Sequence, residues 1–117
     1  MGRDFTDAEK KAGLCLLTAM EAFKELRHTM PAQYIVAFLL VALDEGKAVG
    51  EYAVKAGVAP SVMSRHLLDI GPRNRHMEEG FGLIETKPNI MNLREHSVYL
   101  TDKGRALFHK ITRQLAR

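Results

Sequence analysis

The sequence predicts a mainly α domain with one small β-hairpin, in the order helix, helix, helix, helix, strand, loop, strand, helix (α-α-α-α-β-β-α). Three observations lead there. Apolar residues recur at helical spacing through much of the chain before Gly71 and again after Thr101. Pro31, the Gly57–Pro60 step and Gly71-Pro72 divide the earlier stretch where Pro suits a helix start and Gly a helix end. Residues 83–87 and 97–100 read as two short strands joined by the loop 88–96.

Taken in order, Thr6 or Asp7 caps a first helix reaching about His28, with Ala8, Ala12, Cys15, Ala19, Phe23 and Leu26 as its apolar stripe. Leu14, Leu17 and Met20 widen that stripe beyond what one small core covers; the surplus fits either a dimer partner or a thick core helix. After Met30-Pro31 a second helix runs to about Asp44, and its run Tyr34–Leu43 is apolar on all sides, as in the centre of a bundle. A two- or three-residue strand near Ala48-Val49 is compatible with the pattern. Glu51–Ala56 forms a short third helix and Pro60 to about Ile70 a fourth. Pro72–Glu79 reads as a further turn or two of helix. Thr101 caps the last helix, with Asp102 in its first turn and Ala106, Leu107, Ile111 and Leu115 following.

At 117 residues the chain is expected to form one domain, residues 1–117. Its longest apolar run is too short for a membrane span, no signal peptide is recognised, and a single Cys fits a reducing cytoplasm. Charge is unevenly placed. Residues 1–48 carry six Lys/Arg against seven Asp/Glu, and residues 49–117 carry eleven against seven, so the halves stand at −1 and +4. A positive half suits a nucleic-acid partner, although an ordinary solvated surface can look the same.

The positive half contains AVKAGVAPSVMSRHLL, residues 53–68. Two helices that cross steeply need a small residue where they touch, and Ala53 supplies one. The turn needs a residue that accepts positive φ, and Gly57 supplies that. Pro60 presets φ for the next helix. In that helix Met63, Leu67 and Ile70 make one buried stripe, leaving Ser61, Val62, Arg65, His66 and Asp69 to lie along a groove. Ser61 and Ser64 can bond phosphates, and Arg65 suits a guanine edge or a phosphate. A plain helical hairpin is the alternative, but it would accept Leu or Glu on that outer face equally well.

Ala53-x-x-x-Gly57-Val58 followed by Met63-Ser64-Arg65 resembles the helix-turn-helix of bacterial regulators. With Met30-Pro31-Ala32-Gln33, Leu43-Asp44-Glu45-Gly46, Gly82-Leu83-Ile84 and Val98-Tyr99-Leu100-Thr101-Asp102-Lys103-Gly104-Arg105, residues 29–112 resemble the MarR family of winged helix-turn-helix repressors. The resemblance implies a homodimeric transcriptional regulator binding double-stranded DNA. Its recognition helix, about 60–70, would enter the major groove and its wing, about 88–96, the minor groove. It places Ser61, Ser64 and Arg65 on recognition-helix positions and Arg94 where such wings carry an arginine. The reading built on it puts Arg65 and His66 at base edges, Ser61, Ser64, Arg73, Arg75 and Lys87 at phosphates, and Val62 and Asn92 in the same interface. It also implies residues 1–29 and 101–117 as dimerisation helices and leaves room for a small-molecule effector. The sequence departs from the family's pattern in four ways. Ala59 and Gly50 stand where capping Ser/Thr residues are usual. Asn92-Leu93-Arg94 replaces an Asp-x-Arg type pair. About eight residues are added within Asp69–Gly82, either a phosphate-contacting turn or a solvated loop. Little chain follows the last helix.

Nothing in the sequence supports an enzyme, a metal site or a cofactor. The five His residues include no pair at i, i+3 or i, i+4. Ser64, His66 and Asp69 lie on one helix and point apart, and Gly80-Phe81-Gly82 is not a phosphate loop. Cys15 reads as a small core residue. The rival function is a winged helix used as a protein-interaction or assembly module, as in plasmid or phage maintenance or replication.

Overall fold

The computed structural model describes residues 4–27, 29–73, 76–91 and 95–115. Its elements are α1 (Asp7–Lys24), α2 (Ala32–Leu43), β1 (Lys47–Ala48), α3 (Val49–Ala56), α4 (Pro60–Ile70), β2 (Ile84–Pro88), β3 (His96–Leu100) and α5 (Asp102–Leu115). The expected mainly α architecture with a β-hairpin is present. The short segment before α3 joins the hairpin, giving a three-stranded antiparallel sheet in the order β1-β3-β2. In it Lys47 pairs with Val98, and Ile84 to Pro88 pair with Leu100 back to His96.

Thr6 starts α1 through a reciprocal capping box: its hydroxyl accepts from the Glu9 N–H at 3.0 Å, and the Glu9 carboxylate accepts from the Thr6 N–H at 3.0 Å. The Thr6 backbone N–H first, and the Thr6 hydroxyl beside it, favour ionised Glu9 and hold its carboxyl below the ordinary range. Only the later turns of α1 join the core, through Ala19, Ala22 and Phe23. The expected core positions Ala8 and Ala12 are exposed and Cys15 is half-buried outside the core, which corrects that part of the stripe. The reason is geometric: the domain is 58 Å long but only 27 Å and 22 Å across, and the early turns of α1 extend past the body.

Phe23, Phe38 and Phe108 tie α1, α2 and α5 together edge-to-face, with centroids 5.8 Å and 6.5 Å apart. Beneath them Ala37, Val41, Tyr52, Ala53, Met63 and Ile70 form the packed centre. The buried Tyr52 hydroxyl donates to the Asp44 carbonyl at 2.6 Å and accepts from the Lys47 N–H at 3.2 Å, closing the turn between α2 and β1. α2 is less enclosed than expected, because Val36 and Leu43 are exposed.

The string Leu100-Thr101-Asp102-Lys103-Gly104-Arg105 is a joint between the sheet and α5. The Thr101 hydroxyl accepts from the Gly104 N–H at 3.1 Å and donates to the Gly82 carbonyl at 2.6 Å. Gly104 lies so close to the Leu83 carbonyl that an added Cβ would overlap it. Arg105 grips Glu45 through both terminal nitrogens, at 3.0 Å and 2.8 Å, and Glu45 also accepts from the Leu100 N–H at 2.8 Å.

Among the described residues of 72–79 the expected helix is absent. The chain makes a narrow antiparallel excursion instead, in which Arg73 bridges Glu79, the Gly80 N–H donates to the Pro72 carbonyl at 3.0 Å, and the Gly82 N–H donates to the Gly71 carbonyl at 2.9 Å. Gly71 and Pro72 interrupt helical bonding at the end of α4, and pairing the two arms satisfies backbone groups that a second helix start would leave open.

Gly104→Ala is expected to destabilise the domain by about 2–3 kcal/mol through overpacking against fixed backbone. Denaturant unfolding should show the midpoint fall, whereas the exposed neighbour change Lys103→Ala should stay within about 0.5 kcal/mol of wild type. An unchanged midpoint for Gly104→Ala would contradict the close approach.

Candidate nucleic-acid interface

α3 and α4 form the helix-turn-helix. Ala53 is buried where they cross, Gly57 ends α3 at φ +71°, and the Val58 N–H donates to the Ala53 carbonyl at 3.1 Å. That φ is open to glycine and strained for a residue with a Cβ. Pro60 sits in the first turn of α4, and Ala59 offers no side-chain cap. α3 begins at Val49, earlier than expected, with Ala48 rather than Gly50 in the cap position and again no side-chain acceptor.

The rotation of α4 follows from its apolar stripe. Met63, Leu67 and Ile70 are buried, which leaves Ser61, Ser64, Arg65 and Leu68 exposed along the opposite side. Arg65 enters no ion pair among the described residues. Several other cations are engaged: Lys55 with Asp44 at 2.9 Å, Arg105 with Glu45 at 2.8 Å, and Lys110 with Glu25 at 2.8 Å. The Lys55 ammonium bonded to Asp44 holds that carboxyl below its ordinary range.

His66 and Asp69 do not share the outward face, which corrects the expectation for both. His66 is half-buried with its ring edge-on to Tyr34, centroids 5.7 Å apart, and the Tyr34 hydroxyl donates to the Asp69 carboxylate at 2.6 Å. Val62 is half-buried beside them; Gln33, Tyr34, Val62, Arg65, His66 and Asp69 line one small recess between α2 and α4. Tyr34 thus clamps α4 from behind. Sequence reasoning placed it only at the head of an apolar run; a phenol opening such a run was the available signal.

The sheet brings the wing beside α4. Ser64 on α4 and Thr86 on β2 line a common, mostly apolar cleft of about 330 Å³, and exposed Arg73 lines it too. Thr86 was not singled out from sequence, because its place depends on strand pairing. Lys87 is exposed on β2, 3.7 Å from Glu85 and 5.1 Å from the centroid of the Tyr99 ring. A surface pair of that kind is worth roughly 0–1 kcal/mol and can be exchanged for another anion. Arg75, Asn92 and Arg94 lie outside the described residues. Past the strands, Asn89, Ile90 and Met91 begin the wing's loop, where the Asn89 side-chain carbonyl accepts from the Met91 N–H at 2.9 Å.

The 71–82 excursion folds back on the body. His76, Glu79, Gly80 and Phe81 face Arg27, Pro31, Tyr34 and Lys103 across a cleft of about 660 Å³, with Asp69 at its border. Among the described residues, no three or more His, Cys, Asp or Glu side chains are grouped to hold a metal ion, and no helix is long and apolar enough to cross a membrane.

No family model matches the sequence, and no curated protein matches it. Solved structures match its fold. One is a transcriptional repressor, CouR, bound to a 23-mer DNA duplex: 25% identity, 93% of this chain and 70% of that chain covered, TM-score 0.57. A MarR-family transcriptional regulator from Silicibacter pomeroyi shares 19% identity over 93% of this chain and 66% of its own, with TM-score 0.57. A MepR mutant from S. aureus bound to an oligodeoxyribonucleotide shares 17% identity over 93% and 75%, with TM-score 0.62. This chain therefore spans between 66% and 75% of the lengths of these three proteins. It has the winged helix-turn-helix fold of the MarR-type transcriptional regulators.

Proposed function

We propose that the protein is a homodimeric, sequence-specific double-stranded DNA-binding regulator, acting as a cytoplasmic repressor rather than as an enzyme. One observation carries the reading: Ser61, Ser64 and Arg65 stand exposed on a helix whose other side is locked into the core, with a wing strand alongside. Two proteins of the same fold, the CouR repressor and the MepR mutant, were solved bound to DNA. Both likenesses support the reading.

In this mechanism Ser61 and Ser64 bond phosphates through their hydroxyls, while Arg73 and Lys87 add charge contacts that set register without reading sequence. Arg65 reads a base edge in the major groove. Asn92 and Arg94 are assigned to the same interface on the resemblance alone, and Arg75 on its charge in the sequence. His66 takes a supporting role: through its packing on Tyr34 it holds the base of Arg65 in place. The cleft beneath Tyr34 is where a small-molecule effector would act, since its border includes Asp69 of the recognition helix.

The dimer is assigned to the early turns of α1 together with the end of α5. Phe5 just before α1, Leu14, Leu16 and Leu17 on it, and Leu115 on α5 are all more than half exposed. An apolar surface of this kind on a helix that extends beyond the body suits a second copy, whose α1 would present the same residues in return.

Selection of bound sequences from a random duplex pool tests the reading. A two-fold consensus with half-sites about one helical turn apart is expected; recovery of no enriched sequence would remove the assignment and favour a protein-interaction module. On the selected site, Arg65→Ala should cost about 1–3 kcal/mol and relax one base position. Equal losses on selected and random duplex would make Arg65 a phosphate contact only. Leu14→Glu with Leu17→Glu should convert the dimer to a monomer in sedimentation and weaken operator binding. A variant that remains dimeric would move the interface elsewhere.

A further inference from the structure

The wing's loop opens on two large apolar side chains in water. Ile90 is 91% exposed and Met91 92% exposed, more than any other large apolar residue among those described. They are not on a fraying end. β2 and β3 pair up to Pro88 and His96, the Asn89 N–H continues the ladder to the Glu95 carbonyl at 2.9 Å, and the Asn89 side chain then accepts from the Met91 N–H at 2.9 Å. The local turn therefore presents Ile90 and Met91 on a braced hairpin. It also spends only the carbonyl of the Asn89 amide, leaving the NH₂ as a donor.

Resting on the DNA-binding reading above, we infer that Ile90 and Met91 form an apolar wedge that enters the minor groove beside the recognition helix and partly unstacks a base step. Position and reach favour DNA as the occupant. Thr86, four residues before Ile90, lines the cleft that Ser64 of α4 also lines. Four extended residues span about 13 Å, and a side chain adds several more. Half a turn of duplex, the step from a major groove to the neighbouring minor groove, is about 17 Å. The side chains of Ile90 and Met91 cannot gain affinity from phosphates, but they can fill a widened minor groove and wedge between bases, as apolar side chains do in DNA-bending proteins. The amide NH₂ of Asn89 would face the acceptors on the groove floor. Specificity would then come partly from how readily the central sequence deforms, with flexible pyrimidine–purine steps preferred where the apex lands.

The test uses the full chain and a duplex selected by the wild-type protein, labelled at both ends for energy transfer. Wild type should raise end-to-end transfer by bending the duplex by about 20–90°. Ile90→Ser with Met91→Ser should abolish that rise and weaken binding roughly five- to twenty-fold by losing the wedge. Arg65→Ala should blur base preference yet keep the bend. Binding by wild type without bending, or an unchanged bend in the double variant, overturns the wedge while the DNA-binding reading survives. A change of oligomeric state in the double variant with the bend intact makes the apex a contact between copies and overturns it as well. Failure of wild type to select any duplex removes both.

Discussion

Met63, Leu67 and Ile70 are buried against the rest of the bundle, and their burial fixes the rotation of α4 about its own axis. Each such side chain is worth roughly 1.5–3 kcal/mol in the core. Turning the helix by about half a revolution would put the three into water and Arg65 into an apolar interior, which a domain of ordinary stability cannot sustain. The exposed side of α4 is thus set by the side that does not face water. The Tyr34–Asp69 hydrogen bond and the Tyr34–His66 ring contact add a second hold from α2. The side of α4 that meets water is thus the one bearing Ser61, Ser64, Arg65 and Leu68.

A second set of contacts fixes the wing relative to that helix. Glu45, at the end of α2, binds both the Leu100 amide of β3 and the Arg105 guanidinium of α5. Thr101 and Gly104 bring the same end of α5 against Gly82 and Leu83, the residues that lead into β2. The wing is consequently anchored to α5, the helix that packs along α1. A shift of α1 and α5 against a partner copy would carry the wing with it, and the cleft under Tyr34 lies where α1, α2, α4 and α5 meet. In the proposed dimer, subunit geometry and groove contacts would be mechanically joined.

Much of the fold was legible because local rules and tertiary packing agree. Periodicity gave five helices, Gly57 and Pro60 marked the turn, and Met63, Leu67 and Ile70 identified the inner side of α4. Three features escaped for physical reasons. His66 and Asp69 were assigned outward from spacing alone, yet both have a partner on α2, and Tyr34 decides the matter. The early part of α1 carries a core-like stripe with no core of its own chain beneath it. Residues 72–79 carry no helix breaker between Pro72 and Glu79, but the pairing of Arg73 with Glu79 offers their backbone a closed alternative. For His66 and Asp69 a long-range contact to α2, invisible to periodicity, selects among local states of similar energy.

The central claim is that the exposed side of α4, with the wing beside it, meets a duplex. The salt dependence of binding to random-sequence DNA, measured by filter retention over a range of ionic strength, tests it most directly. Phosphate contacts displace condensed counterions, so affinity should fall with a log–log slope of about −0.9 for each phosphate neutralised. The account predicts a clear negative slope that becomes shallower by about one unit for each engaged cation removed by mutation. A flat response, with weak binding unaffected by salt, would contradict it and leave the exposed face of α4 to a protein partner.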